Sequence, residues 1–95
     1  MGLEYVKLSD ADAQERLKPL AGWSIADGKL SKTFKFSSYM DGIEFVPKVG
    51  KEADHLNHHP DILVGYKQVT ISVNTHDVGG ISPYDFELAR LIELI

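Results

Sequence analysis

The hydrophobic and polar positions change their period several times along the chain, and each change predicts a new element. In the stretch LSDADAQERLKPL, Ser9 is suited to cap the start of a helix, and Pro19 ends that helix near the preceding residue. In GWSIADGKLSKTFKF, apolar residues alternate with polar ones on both sides of Asp27-Gly28, a pair that favours a tight hairpin turn. The start of the chain therefore predicts a helix followed by a β-hairpin with one apolar face.

A longer helix is predicted in the middle of the chain. Ser38, with an acid three residues later, repeats the helix-start pattern, and apolar residues then recur at helical spacing from Ile43 to Leu56. This spacing predicts a helix of about 17–20 residues that is closed by Pro60. Pro47 lies inside the helix, where it removes a backbone hydrogen bond and is expected to bend the helix at a cost of ~3 kcal/mol.

The last part of the chain predicts a second hairpin and a third helix. The stretch ILVGYKQVTISVNT reads as two strands, the second with alternating apolar and polar residues, and Ser82 with Pro83 suits the start of a helix over FELARLIELI. The predicted order is α-β-β-α-β-β-α. We therefore predict an α+β fold in which residues 1–95 form a single domain, with three helices packed on one face of a four-stranded antiparallel sheet.

Composition and charge exclude several classes of function. The chain is 43% hydrophobic and 25% charged, its net charge is −4, and no block of Lys or Arg forms a phosphate-binding stripe, so a nucleic acid is not an expected partner. No apolar run approaches the roughly 18 residues that cross a membrane, and the start of the chain lacks a signal-peptide pattern. We expect a cytoplasmic protein. Without cysteine it has neither disulfides nor thiol catalysis.

Three of the four histidines lie close together in DHLNHHPDILVGY, and residue chemistry leaves three roles open for them. They could be surface residues that interact with the dipole at a helix C-terminus. His55 and His59, with His76 as a third ligand, could instead hold zinc. They could also transfer protons, since the unperturbed pKa of histidine is about 6.5. A residue before proline favours an extended backbone, so a break at His59 would let neighbouring histidines face a common site.

The other polar residues in this part of the chain also have both structural and functional interpretations. His76 follows the fourth predicted strand and precedes Gly79-Gly80, where it is either a loop residue or a neighbour of the helix end that carries the other histidines. Asp85 suits the capping box of Ser82. At helical spacing, Asp54 and His58 lie on the same side of the predicted second helix, although Asp54 could also be only a solvated helix residue. An acid–base cleft with an unknown substrate is thus one interpretation of these residues, beside the surface and zinc interpretations.

The joint spacing of these residues resembles the signature of the pterin-4a-carbinolamine dehydratases. The pattern consists of Asp54, His58-His59-Pro60, Tyr66, His76 and Asp85, separated in order by three, five, nine and eight residues. The stretches PLAGW, NHHP and LARLI are similar as well, and the resemblance covers nearly the whole chain. The predicted order of helices and strands is also that of the family's fold.

The resemblance implies a reaction and a role for each matching residue. The family removes water from 4a-hydroxytetrahydropterin to give the quinonoid dihydropterin, in the recycling of tetrahydropterin. His58 and His76 would be the acid–base pair, and His59 a further active-site histidine that mainly holds the pterin. The resemblance implies that Asp54 and Asp85 orient histidines or ring nitrogens. The full set of implied substrate-binding residues is Asp54, His59, Pro60, Thr75 and Asp85.

The resemblance implies no metal and no redox cofactor, and it implies self-association as a homodimer or homotetramer. Family members join their sheets edge to edge, and an open strand edge invites such pairing. Animal members also bind a transcription factor's dimerisation region, so a non-catalytic protein-binding module is the alternative function. Ile62 departs from the family pattern, because many members carry an aromatic residue shortly after the His-His-Pro sequence.

Overall fold

The computed structural model describes residues 3–95, which form three helices and four strands in the predicted order. The elements are α1 (Asp10–Leu17), β1 (Ser24–Ala26), β2 (Lys29–Lys35), α2 (Tyr39–Leu56), β3 (Asp61–Gly65), β4 (Gln68–Val73) and α3 (Pro83–Glu93). A short 3₁₀ helix, His76–Val78, lies between β4 and α3. The predicted α+β fold with a four-stranded antiparallel sheet is confirmed.

Each long helix begins at the serine that the sequence pattern predicts. The side chains of Ser9, Ser38 and Ser82 accept hydrogen bonds from backbone N–H groups in the first turns of α1, α2 and α3. These bonds satisfy donors that have no partner inside the helix. Local chemistry at these three positions therefore fixes where the helices start.

All neighbouring strands of the sheet are antiparallel, and their order is β1-β2-β4-β3. The two-residue turn Asp27-Gly28 joins β1 to β2, and both of its residues have the positive φ that tight hairpins require. The second hairpin has no glycine in its turn and instead places Lys67 at a φ of 60°. With β4 at the centre and β3 at an edge, the end of β4 comes close to the start of α3.

One face of the sheet is covered by the helices and the other is polar. Along β4, Val69, Ile71 and Val73 are buried, whereas the residues between them carry hydroxyl groups that meet Ser31 and Thr33 across the strands. The buried strand residues pack with apolar residues of α2 and α3 in a single core. This alternation is the one that the sequence predicts.

The second helix differs from the prediction at its end. It runs without interruption through Pro47 but stops at Leu56, and not at Pro60. Asn57 takes the left-handed conformation with φ 52°, and the N–H of His58 bonds to the carbonyl of Ala53. This is a Schellman motif, in which asparagine substitutes for the more usual glycine. The prediction that His58 lies on the helix beside Asp54 is therefore wrong.

No helix within residues 3–95 combines the length and the hydrophobicity that a membrane span requires.

Candidate active site

A buried carboxylate, Asp85, connects the start of α3 to the end of α2. Its Oδ2 atom accepts a hydrogen bond from the backbone N–H of Ser82 at 2.9 Å, which completes the predicted capping box. Its Oδ1 atom lies 2.6 Å from Nε2 of His58, 27 residues earlier in the chain. Asp85 is 0% exposed and His58 is 9% exposed. The capping residue predicted from sequence is thus also the partner of a histidine.

Two buried hydroxyl groups complete this cluster and determine where its protons lie. Thr75 Oγ1 donates to Asp85 Oδ2 at 2.8 Å and lies 2.6 Å from Ser82 Oγ. Because the single proton of Thr75 is used for the carboxylate, the Ser82 hydroxyl donates to Thr75. The same Thr75 oxygen lies 3.3 Å from Nε2 of His58 and can only accept there. An ionised Asp85 therefore requires a proton on Nε2 of His58.

This assignment leaves Nδ1 of His58 as the nitrogen with a free lone pair when the ring is neutral. Nδ1 makes no hydrogen bond to residues 3–95, and in that part of the chain every buried side-chain nitrogen or oxygen has a partner. Nδ1 is therefore at least partly exposed to solvent. The ring of Tyr84 lies against the imidazole, with 5.7 Å between the ring centroids.

The neighbouring histidine is held by a different carboxylate. Nε2 of His59 lies 2.9 Å from Oδ1 of Asp54, and both side chains are exposed. The pair forms because the left-handed residue Asn57 turns the chain back beside the last turn of α2. Pro60 follows, half-buried, immediately before β3 begins. Asp54 is thus near His59, whereas periodicity places it beside His58.

His76 lies on the other side of Thr75 in a short closed loop. The backbone N–H of Thr75 bonds to the carbonyl of Gly80 at 2.8 Å, and Gly79 at the loop's end has the positive φ of 71°. His76 is exposed and begins the 3₁₀ helix. Thr75 contacts His58 directly, and His76 is the next residue along the chain. The two histidines are therefore connected through Thr75.

The hypothesis of a zinc site made by His55, His59 and His76 is not supported by their placement. Within residues 3–95, no group of three or more His, Cys, Asp and Glu side chains lies together in a way that would hold a metal ion. His55 lies in the last turn of α2 and is exposed.

Sequence reasoning missed three contributors to this site. Asn57 positions His58, and an asparagine three residues before a proline is a signal for a helix end that could have been used. The Ser82 hydroxyl joins the buried cluster beyond its capping role. Tyr84 packs on His58, and nothing in the local sequence distinguishes it from an ordinary helix residue.

Comparisons with known proteins identify relatives over nearly the whole chain. The family model described as pterin 4 alpha carbinolamine dehydratase matches residues 6–95. A protein of Sulfolobus acidocaldarius assigned to the pterin-4-alpha-carbinolamine dehydratases is 42% identical over 90 residues, which cover 95% of this chain and 99% of that protein. A protein of a Roseiflexus species with the same assignment is 43% identical over 89 residues, which cover 94% and 96% of the two chains.

A solved structure has the same fold. The crystal structure of a transcriptional coactivator/pterin dehydratase from Brucella melitensis matches with a TM-score of 0.87 and 27% identity, covering 93% of this chain and 96% of the other. The family match and the relatives confirm the resemblance predicted from the histidine spacing, including its class of enzyme, a hydro-lyase. The chain belongs to the pterin 4 alpha carbinolamine dehydratase family.

Proposed function

We propose that this protein removes water from a 4a-hydroxytetrahydropterin by histidine acid–base catalysis. The reaction takes the proton from N5 and the hydroxyl from carbon 4a, forms a double bond between these two atoms, and releases water and the quinonoid dihydropterin. One group must accept the N5 proton while another protonates the departing hydroxyl. Each such group typically contributes about 10²–10⁴-fold to the rate.

The observation that carries the proposal is the buried pair of His58 and Asp85. The carboxylate fixes the proton on Nε2, so Nδ1 presents a lone pair to the substrate. When Nδ1 takes a proton, the 2.6 Å contact places a negative charge beside the imidazolium that forms. We therefore assign the role of general base to His58.

His76 is assigned the role of general acid. Its exposed position at the mouth of the Thr75–Gly80 loop lets it exchange protons with solvent between turnovers. Histidine suits this role because its ordinary pKa lies close to neutral pH. The leaving hydroxyl takes the proton from His76 and departs as water.

The remaining residues implied by the family pattern bind the pterin. The carboxylate of Asp54 orients His59, which then presents its other ring nitrogen, Nδ1, to the polar edge of the pterin. Pro60 and Thr75 lie next to His59 and His76 in the chain, in the segments that follow α2 and β4. Ile62 stands where many family members carry an aromatic residue, so stacking on that side is not part of the proposal.

The test is a stopped-flow ultraviolet assay of 4a-hydroxytetrahydropterin, made in situ by an aromatic amino-acid hydroxylase. We expect the wild-type protein to accelerate decay. We expect His58→Ala or His76→Ala to reduce turnover at least tenfold, since one acid–base group typically contributes about 10²–10⁴-fold. His55→Ala is the matched control, because His55 is an exposed histidine near the same helix end.

Two results would contradict the proposal. Decay no faster than in buffer would refute the dehydratase activity itself. Near-normal rates in both His58→Ala and His76→Ala would refute the assignment of the two histidines while leaving the activity in place. Circular dichroism of each variant tests whether a loss of rate comes from unfolding.

We also propose that the protein forms homodimers through the edge of β3. Among residues 3–95, this strand pairs only with β4. It carries Leu63, which is 71% exposed on the otherwise polar face. An unpaired edge with exposed apolar residues favours pairing with a second copy. Light scattering at micromolar concentration should give a dimer, and Leu63→Lys should shift it towards monomer; a monomeric wild-type protein would refute this proposal.

A further inference from the structure

Tyr5, in the segment before α1, contacts neighbours of both proposed catalytic histidines. Its hydroxyl donates to Oδ2 of Asp77 at 2.9 Å, and Asp77 directly follows His76 in the 3₁₀ helix. Its ring meets the ring of Tyr84 edge to face, with centroids 5.5 Å apart, and Tyr84 in turn packs on His58. Neither tyrosine is among the candidate site residues predicted from the sequence.

The segment that carries Tyr5 is fixed against the loop of His76 by further contacts. The backbone N–H of Leu8 bonds to the carbonyl of Ile81 at 2.8 Å. The side chain of Lys7 lies across Gly80 so closely that a Cβ atom there would be 2.9 Å from Cε of the lysine. The side chain of Lys7 therefore lies directly on the loop at Gly80. These contacts fix the chain two and three residues after Tyr5.

The bond between Tyr5 and Asp77 persists at the pH at which an acid–base enzyme of this kind works. The hydrogen bond to Asp77 raises the pKa of the Tyr5 phenol above its ordinary value of 10.0, with smaller effects from burial and from nearby carboxylates. The hydroxyl therefore stays protonated and continues to donate at neutral pH. A hydrogen bond from a neutral donor to a carboxylate is stronger than one between two neutral groups.

We propose that Tyr5 is a positioning residue that acts through Asp77 to hold the 3₁₀ helix in the orientation at which His76 reaches the substrate. The proposal rests on the role of His76 in the proposed function. The helix is only three residues long, and its backbone bonds, such as that from the N–H of Gly79 to the carbonyl of His76, all lie within the Thr75–Gly80 loop. The bond from Tyr5 supplies a restraint from outside the loop.

The test separates the hydroxyl of Tyr5 from its ring. Tyr5→Phe removes the bond to Asp77 and keeps the ring contact with Tyr84, and it should lower kcat about threefold to tenfold, the effect of losing one modest hydrogen bond, with little change in KM. Asp77→Ala should give the same loss, and the double variant should be no worse than either single one. Asp77→Asn should restore most of the rate, since an amide oxygen also accepts from a phenol.

The matched control is Tyr39→Phe, because Tyr39 is similarly exposed and its ring stacks on Tyr66, in a contact that does not involve the histidine loop. Its kcat should equal that of the wild type. A second readout does not depend on turnover: in ¹H–¹⁵N spectra of the imidazole groups, Tyr5→Phe should shift and broaden the resonances of His76 while those of His55 stay unchanged.

The outcomes distinguish this proposal from the proposed function. If the wild-type protein lacks dehydratase activity but Tyr5→Phe perturbs His76 alone, the restraint exists and the reaction was wrongly assigned. If the wild type is active while Tyr5→Phe keeps both its kcat and the His76 resonances, Tyr5 does not position the histidine. If the double variant lost as much activity as the two single variants together, the proposal would likewise be overturned, because the two residues would then act separately.

Discussion

The substitution Asp85→Asn should change the proton arrangement of the site while leaving its shape almost intact. The backbone N–H of Ser82 and the hydroxyl of Thr75 both point at Oδ2, so the amide oxygen must take that position. The amide NH₂ group then faces Nε2 of His58, which must accept a hydrogen bond in place of donating one. The histidine would therefore carry its proton on Nδ1.

This change converts the proposed base into a proton donor. Because the lone pair on Nδ1 is lost, we expect turnover to fall by about 10²-fold or more, the range for removing one general acid–base group. The loss of stability should be modest. Three charge-assisted hydrogen bonds become neutral ones and a negative charge is removed from a helix start, whereas the cost of burying a charge disappears, so the free energy of unfolding should fall by about 1–3 kcal/mol.

Stopped-flow turnover and urea unfolding measure the two effects separately, at a temperature where the variant is fully folded. Asp41→Asn is the control, since Asp41 occupies the same third position of α2, after the capping residue Ser38, and is exposed. It should lose little stability and no activity. If the Asp85→Asn variant turned over within threefold of the wild type, the reasoning about the tautomer of His58 would be refuted.

Three further predictions concern stability. Asn57→Gly should raise the free energy of unfolding by about 0.5–1 kcal/mol in urea titration, because glycine adopts the left-handed conformation at φ 52° without strain; a loss would show that the asparagine side chain is needed. Trp23→Phe should lower the free energy of unfolding by about 1–3 kcal/mol, because the buried indole donates a hydrogen bond to Glu93 at 2.9 Å. Unfolding followed by circular dichroism measures this loss. The raised pKa of Tyr5 stabilises the fold below the ordinary pKa of 10.0, and this contribution is lost as pH rises through the folded-state value. The wild type should therefore lose more stability above pH 10 than Tyr5→Phe does, and equal losses would contradict the role of its bond to Asp77.

The fold was predictable because its signals are local. Ser9, Ser38 and Ser82 mark helix starts, and the alternation along β4 marks a strand with one buried face. The end of α2 was not predictable from Pro60 alone, because a single left-handed residue, Asn57, ended the helix first. Proline prevents a helix from continuing but does not require it to reach that point.

The sequence pointed to several residues of the buried cluster but not to their pairing. The spacing of the histidines and acids carried the family resemblance, and the structure brings His58, Thr75 and Asp85 together. Periodicity placed Asp54 beside His58, whereas the structure pairs it with His59. The contact between His58 and Asp85 depends on how α2 and α3 pack, and such tertiary packing leaves no signal in the local sequence.

Because of the bond between His58 and Asp85, we expect the site to form late in folding. The bond joins residues 27 positions apart, on segments that follow α2 and begin α3, and neither segment contains the complete arrangement. Closing such a long loop costs chain entropy that is recovered only when both helices lie on the sheet. During refolding, helical signal should therefore return before turnover does, and the recovery of activity would report the moment at which the last helix docks.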